Sequence, residues 1–224
     1  MIKMLMERIV FRPFCKLKAS LLGKRFGIKC VINTEYPLLK IHVEKGKNAK
    51  FSVNGLLYFL RYLYLNQPVN IILKDNSTLE VEGDLMIGSG TTIYVGENAY
   101  LRIGGRLNER IDGAAILGSK IFVHKKVTIG HDCLITYEAG IIDSNFHHLE
   151  YNGETVVPDS EVNIGNHVWI LGSALILKGS TIEDGCIVGH KSVISGKTFP
   201  AHSFIAGAPA RIMKRGCDWR STIE

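Results

Sequence analysis

The sequence predicts an all-β solenoid built from triangular coils of about 18 residues. The first indication is an aliphatic side chain at every sixth position between residues 162 and 196: Ile164, Ile170, Ile176, Ile182, Val188 and Ile194. A helix repeats every 3.6 residues and a flat strand every 2, so neither explains this period. The second indication is a small or apolar residue four places after most of these positions. The third is a glycine after several aliphatic residues along the whole repeat, as in Ile87-Gly88, Ile129-Gly130 and Ile164-Gly165. One large and one small inward residue per hexad suit a short strand followed by a tight turn.

The repeat continues towards the N-terminus. Steps of six back from Ile141 meet apolar residues, with one glycine, at Ile135, Ile129, Val123, Leu117, Ile111, Gly105, Ala99, Ile93, Ile87 and Val81. Stacked coils place these side chains above one another and bury a core that no single repeat could bury. We therefore predict a β-helix domain over residues 81–203.

Three segments flank this domain. Residues 1–34 are expected to form a basic helical segment, because residues 1–33 hold eight Lys or Arg and one Glu. Residues 35–80 alternate apolar and polar side chains, which indicates irregular early coils. Within them an apolar stretch, 56–66, is expected to be a buried insertion or an interface. Residues 204–224 are expected to form a short C-terminal segment.

The basic segment fits two interpretations. It can cap the solenoid as a solvated helix, or its mixture of basic and apolar residues can make peripheral contact with an anionic membrane surface. The rest of the chain sums to about −1, so the positive charge is confined to this tip. Nucleic acid is not expected as a partner, because no known binding motif accompanies the charge.

Cysteine use and hydropathy favour a cytoplasmic protein. No stretch reaches the roughly 18 apolar residues needed to span a bilayer. Charges scattered through the first residues argue against a secretory signal. The five cysteines have no metal-type spacing, so we expect reduced thiols, no metal site, and Cys133 and Cys186 as small packed residues.

Two motifs resemble a known family. The stretch IGNHVWILGSALILKGSTIEDG (164–185) and the ending FIAGAPARIMK (204–214) are similar to the hexapeptide-repeat acyltransferases, most of all to bacterial polysaccharide and sugar O-acetyltransferases. The resemblance implies left-handed coils, an exception to the usual right-handed crossover. It also implies acetyl-CoA as co-substrate without a metal, and a homotrimer with the active site between subunits.

The repeat breaks between Ile141 and Ile164, which predicts a loop over residues 147–163. A loop that projects from a regular scaffold often carries functional residues. The stretch Asp143-Ser-Asn-Phe-His147 is similar to an Asp-x-Asp-x-His pattern of sugar acetyltransferases. The resemblance places the general base on His147, since a histidine can take the proton of an attacking hydroxyl.

The neighbours of His147 leave alternatives open. His148 is the second candidate for the base. Asp143 or Glu150 orients the imidazole, binds the acceptor sugar, or is a solvated loop carboxylate. Asn145 stands where the family pattern has its second Asp, which keeps a hydrogen-bonding group but removes a charge.

The resemblance also assigns donor-site residues. Trp169 is expected beside the thioester, Gly172 at the pantetheine arm, and His190 and Ser195 along the groove. Basic side chains suit the phosphates, and the candidates for that contact are Lys197, Arg211 and Lys214. A turn residue or a solvated charge is the alternative for each of these positions.

Three features depart from the family pattern. His190 and Lys191 replace small residues, Leu171 replaces a glycine, and the asparagines that many relatives carry about 30 residues before the histidine are absent. The predicted function is acetyl transfer from acetyl-CoA to a sugar hydroxyl of a cell-surface polysaccharide or its precursor. The alternatives are acetylation of an antibiotic or an amino-sugar nucleotide, and a non-catalytic β-helix scaffold.

Overall fold

The computed structural model describes residues 12–33, 37–62, 66–107 and 114–220. The predictions for residues 1–11 of the basic segment and for Ile111 lie outside these residues. In the described part of the chain, helix α1 (Arg12–Phe26) precedes the strands. The strands are β1 (Cys30–Ile32), β2 (Ile41–Lys45), β3 (Lys50–Val53), β4 (Leu57–Leu60), β5 (Val69–Leu73), β6 (Thr78–Val81), β7 (Leu85–Gly88), β8 (Thr92–Val95), β9 (Tyr100–Gly105), β10 (Ala115–Leu117), β11 (Lys120–Val123), β12 (Lys126–His131), β13 (Leu134–Ile135), β14 (Gly140–Ile142), β15 (Leu149–Tyr151), β16 (Glu154–Val156), β17 (Val162–Ile164), β18 (Trp169–Ile170), β19 (Leu175–Leu177), β20 (Thr181–Ile182), β21 (Ile187–Val188), β22 (Val193–Ile194), β23 (Thr198–Phe199), β24 (Ser203–Gly207) and β25 (Ala210–Arg215).

The strands form three sheets that run the length of the solenoid. Sheet A has the order β1-β4-β7-β10-β13-β18-β21-β24-β25, sheet B the order β2-β5-β8-β11-β14-β19-β22, and sheet C the order β3-β6-β9-β12-β17-β20-β23. Each coil gives one strand to each sheet, and pairing between coils is parallel. The antiparallel strand β25 ends sheet A. The predicted all-β solenoid is confirmed.

The core is a set of three ladders of inward side chains, one per sheet. Their members are Ile32, Phe59, Ile87, Ile116, Ile135, Ile170, Val188 and Ile205 in sheet A; Val43, Ile71, Ile93, Ile121, Ile141, Ile176 and Ile194 in sheet B; and Val53, Val81, Ile103, Ile129, Ile164, Ile182 and Phe199 in sheet C. All but Val53 are buried. Burying one such side chain contributes about 1.5–3 kcal/mol, so the stack as a whole holds the solenoid together.

The six-residue step meets ladder residues at Val81, Ile87 and Ile93, slips between Ile93 and Ile129, and holds again from Ile129 to Ile141 and from Ile164 to Ile194. Ile116, and not the predicted Leu117, pairs with Ile87 and Ile135 in the sheet A ladder. Leu117 is only half-buried. The coils between Ile87 and Ile129 are longer than 18 residues because their strands have up to six residues and nine residues separate β9 from β10, so a fixed step of six drifts off the core positions there.

Residues 57–60 do not belong to an insertion. They form β4, which pairs with β1 and β7 within sheet A. Leu57 and Phe59 are buried, whereas Tyr58 points outwards and is 41% exposed. Buried and exposed side chains alternate here as in an ordinary strand. The sequence did not reveal this alternation, because most residues of the stretch are apolar.

Helix α1 covers the first coil. Cys15 and Ala19 are buried, and Leu22 and Phe26 pack against the core. The Lys18 amino group donates a hydrogen bond to the Leu39 carbonyl, which ties the helix to the chain before β2. No helix in the described residues is long and apolar enough to cross a membrane.

The buried thiols belong to the core. Cys133 and Cys186 are buried, as predicted, and none of the five cysteines forms a disulfide within the structure described. Burial raises the pKa of Cys133 to about 12, so this thiol is inert near neutral pH.

Candidate active site

The chain leaves the solenoid between β14 and β17, at the corner between sheets B and C. It runs out as β15 and back as β16, an antiparallel hairpin. The base of the hairpin is closed by a bridge between Ser144 and Asp159 and by a hydrogen bond of 3.0 Å from the Asn145 amide to the Pro158 carbonyl. A regular scaffold therefore holds this excursion firmly at its root.

Asp143 anchors the start of the hairpin. Its side chain is fully buried, and its carboxylate accepts the backbone amides of His124 at 2.7 Å, Lys125 at 2.8 Å and Lys126 at 2.7 Å. Both carboxylate oxygens are thus occupied by the turn between β11 and β12. Within one chain Asp143 neither orients the imidazole of His147 nor faces an acceptor, because it points inwards at the corner. We correct the sequence-based expectation accordingly.

His147 is presented at the surface by a strained segment. Phe146, directly before it, has a φ of 62°, which is uncommon for a bulky residue and recurs at functional sites. The Ser144 hydroxyl accepts the Phe146 amide at 2.8 Å and helps to hold this conformation. The Phe146 ring meets the His124 ring edge-on at 4.9 Å. Sequence reasoning did not foresee this support.

The predicted neighbours of the base are exposed as well. Asn145, His147, His148 and Glu150 all face solvent. Among the described residues none hydrogen-bonds to the His147 imidazole. The ring is therefore free to meet groups that come from outside this chain.

Trp169 lies on the outer face of sheet A, in β18. The Trp219 ring packs against it at 5.7 Å and stacks on the His167 ring at 4.4 Å. The Trp219 indole donates to the His167 carbonyl at 2.8 Å, whereas the indole nitrogen of Trp169 is buried without a partner in the described part of the chain. The C-terminal segment thus covers part of the expected thioester site, which the sequence had not indicated.

Gly172 and His190 lie at the corner between sheets A and B, next to Tyr137. A Cβ atom at Gly172 would stand 2.9 Å from the Tyr137 ring, so only glycine fits there. The His190 ring lies 6.3 Å from the Tyr137 ring. His190 and Lys191 point outwards into solvent, and Leu171 is half-buried and donates its amide to the Val188 carbonyl at 3.0 Å.

The remaining donor-site candidates divide between two places. Ser195 and Lys197 are exposed in the connection between sheets B and C, on the same corner as the hairpin. Arg211 and Lys214 are exposed on β25, at the end of sheet A. A single chain does not bring the two sets together. We call His147, Ser195 and Lys197 the hairpin set, and Trp169, Arg211 and Lys214 the sheet A set.

The outer faces of the three sheets differ in polarity. The outward column of sheet A is apolar throughout: Val31, Tyr58, Met86, Ala115, Leu134, Trp169, Ile187 and Phe204. One outward column of sheet B is Glu44, Ile72, Tyr94, Phe122, Ile142 and Leu177. The corresponding column of sheet C is polar: Ser52, Glu80, Arg102, Thr128, Asn163, Thr181 and Thr198.

No metal centre is built by the part of the chain that the structure describes. Nowhere in it do three or more His, Cys, Asp or Glu side chains come together in a group that could hold a metal ion. The basic side chains of the two sets are those expected to meet the phosphates of a nucleotide-bearing donor.

Comparison with known proteins settles the family. The model of a family described as bacterial transferase hexapeptide (six repeats) matches residues 161–196. An Escherichia coli K12 protein named as a lipopolysaccharide biosynthesis O-acetyl transferase, WbbJ, is 33% identical over an alignment of 142 residues that covers 55% of this chain and 72% of the relative. The chain belongs to the hexapeptide-repeat acyltransferases. The family and the enzyme class predicted from the sequence are confirmed.

Two further likenesses extend over more of this acyltransferase. A 24.8 kDa protein in the cps region of Klebsiella pneumoniae is 25% identical over 183 residues, which are 81% of this chain and 79% of the relative. The crystal structure of the polysialic acid O-acetyltransferase OatWY superposes with a TM-score of 0.50 and 25% identity, over 82% of this chain and 79% of the other. The predicted left-handed β-helix is therefore confirmed for the acyltransferase.

Proposed function

We propose that this acyltransferase moves an acetyl group from acetyl-CoA to a sugar hydroxyl of a cell-surface polysaccharide or its precursor, in the cytoplasm, with His147 as general base. The observation that carries the proposal is the exposed imidazole at the root of the hairpin between β14 and β17. The names of the relatives WbbJ and OatWY support a polysaccharide acceptor.

The chemistry needs one proton carrier. Near neutral pH an imidazole is able to take a proton and return it. His147 removes the proton of the acceptor hydroxyl while the hydroxyl oxygen attacks the thioester carbonyl. The new C–O bond forms, the C–S bond breaks, and the imidazolium returns the proton to the departing sulfur. No covalent acyl-enzyme is required.

The polarity of the outer faces supports a homotrimer. The outward column of sheet A and one of the two outward columns of sheet B are apolar, whereas the outer face of sheet C is polar. A large exposed apolar surface marks an interface. If sheet A of one copy packs against sheet B of the next, the contact is head-to-tail and closes as a ring. The polar face of sheet C then points to solvent.

The same ring assembles the site. Around a threefold axis, the corner of a triangular prism fills only about half of the sector available to each copy. Sheet A of one copy and sheet B of the next therefore diverge away from the axis and leave a cleft between them. The hairpin set of one copy lines one wall of this cleft, and the sheet A set of the next copy lines the other. This arrangement brings together residues that one chain keeps apart.

The first experiment is titration of the purified protein with acetyl-CoA, followed by a thiol-release screen of acceptors. The screen contains galactosides, polysialic acid, aminoglycosides and amino-sugar nucleotides, so that the alternative acceptors compete in one assay. We expect micromolar donor affinity and turnover on a sugar hydroxyl. A folded trimer that binds no acetyl-CoA would instead support the scaffold interpretation.

Mixed trimers test the shared site. The first chain carries His147→Ala, and the second carries Arg211→Ala with Lys214→Ala; all three side chains are exposed, so the fold should persist. Each variant alone is expected to be inactive at limiting acetyl-CoA. Because about a quarter of the interfaces in an equal mixture join two intact walls, co-expressed chains should recover about a quarter of wild-type activity.

The control is a mixture of chains that both carry His147→Ala, one tagged and one untagged, which should stay inactive. Sedimentation should give a mass of three chains. No recovery by the mixed trimers, with the trimeric mass intact, would place the whole site within one chain.

A further inference from the structure

Helix α1 carries two apolar faces, and only one of them packs on the solenoid. The inner face is Cys15, Ala19, Leu22 and Phe26. The outer one is formed by Phe14, Leu17 and Leu21, which are 45%, 61% and 60% exposed. Their spacing of three and four residues lines them up as one stripe along the helix.

Basic side chains border this stripe. Residues 12–33 contain six Lys or Arg and no Asp or Glu. On the helix, the exposed Arg25 lies on one side of the stripe and the exposed Lys24 lies on the other. An apolar stripe with cationic flanks is the composition of a helix that lies in the plane of a bilayer surface.

We infer that the outer stripe of α1 is a docking surface for an anionic lipid membrane. The charge argues against the other candidates. Two α1 helices meeting stripe to stripe would bring like charges together, and a nucleic acid would leave the apolar stripe without a partner. An anionic bilayer fits both the apolar stripe and its basic flanks. Its phosphate headgroups would bind the basic side chains, and its acyl boundary would receive the three apolar side chains.

The inference deepens the proposed function and rests on it in one respect. In a cyclic trimer all three copies of α1 lie at the same end of the assembly, where the solenoids begin. Three weak contacts then act together, and the combined affinity exceeds that of one helix. The enzyme would then stand upright on the bilayer.

The test is co-sedimentation of the full chain with vesicles. One set contains equal parts of phosphatidylglycerol and phosphatidylcholine, and the other contains phosphatidylcholine alone. We expect binding to the anionic vesicles that falls as salt is raised, and little binding to the neutral ones. Leu17→Gln with Leu21→Gln, and separately Lys24→Gln with Arg25→Gln, should each lower the partition coefficient at least about tenfold.

The matched control is Arg215→Gln with Arg220→Gln, two exposed charges at the other end of the solenoid. It should bind vesicles within about twofold of wild type. A wild-type protein that stays in the supernatant, or α1 variants that bind as the control does, would overturn the inference. Acetyl-CoA titration of the same variants keeps the two proposals apart, because donor affinity should not change when α1 is altered.

Discussion

His147→Ala is expected to lower kcat by about 10²–10⁴-fold, the usual contribution of a positioned general base. Acetyl-CoA affinity should stay close to that of the wild type, because the imidazole acts on the acceptor hydroxyl and not on the nucleotide. Stability should also be unchanged, since the side chain is exposed and has no hydrogen-bond partner among the described residues. Thiol release and titration calorimetry on the same preparation measure both quantities.

His148→Ala is the matched control, since this neighbouring histidine is equally exposed on the hairpin. It should keep most of the turnover. If His148→Ala loses turnover and His147→Ala does not, the base is His148. If both retain it, the hairpin has no catalytic histidine and the proposed mechanism fails.

Asp143→Ala is expected to destabilise the protein by about 3–5 kcal/mol. Three backbone amides of the turn at 124–126 lose their acceptor at a fully buried position. Asp143→Asn keeps one acceptor oxygen and should lose about half as much. Urea denaturation at one fixed protein concentration measures the difference and removes the effect of assembly on stability.

Asp75→Ala provides the comparison. This carboxylate accepts one backbone amide, that of Lys47 at 2.9 Å, in the corresponding corner of an earlier coil, and it is exposed. Its loss should cost about 1 kcal/mol or less. An Asp143→Asn variant that keeps wild-type stability but loses all turnover would show that Asp143 acts on the substrate or on the imidazole across the interface.

Periodicity predicted the late coils residue by residue. From Ile129 to Ile141, and again from Ile164 to Ile194, each turn is short, so a step of six lands on the next ladder position. The early coils have longer strands and connections, and there the step misplaces Leu117 by one residue relative to Ile116. A step of six counts residues along the chain, whereas ladder residues are defined by the pairing of strands in neighbouring coils. The step therefore reaches the next ladder residue only where the turns all have the same length.

The site was predicted less completely. The broken repeat pointed to the hairpin, because an interruption is visible in the sequence, and the family resemblance assigned the proposed base to His147. The inward direction of Asp143 was not visible, since an Asp in a motif looks the same whether its carboxylate meets solvent or backbone amides. Contacts between distant segments, such as Trp219 on Trp169 or Phe146 on His124, left no periodic signal.

The two ends of the solenoid carry features that protect its open strand edges. Parallel coils end in open strand edges that could pair with the next molecule and grow into a fibre. Here β25 folds back antiparallel on β24 and occupies the last edge of sheet A. At the other end α1 covers the first coil, and charged residues lie on the edge strands β2 and β3. These terminal features limit the polymerisation that a repeating backbone would otherwise invite.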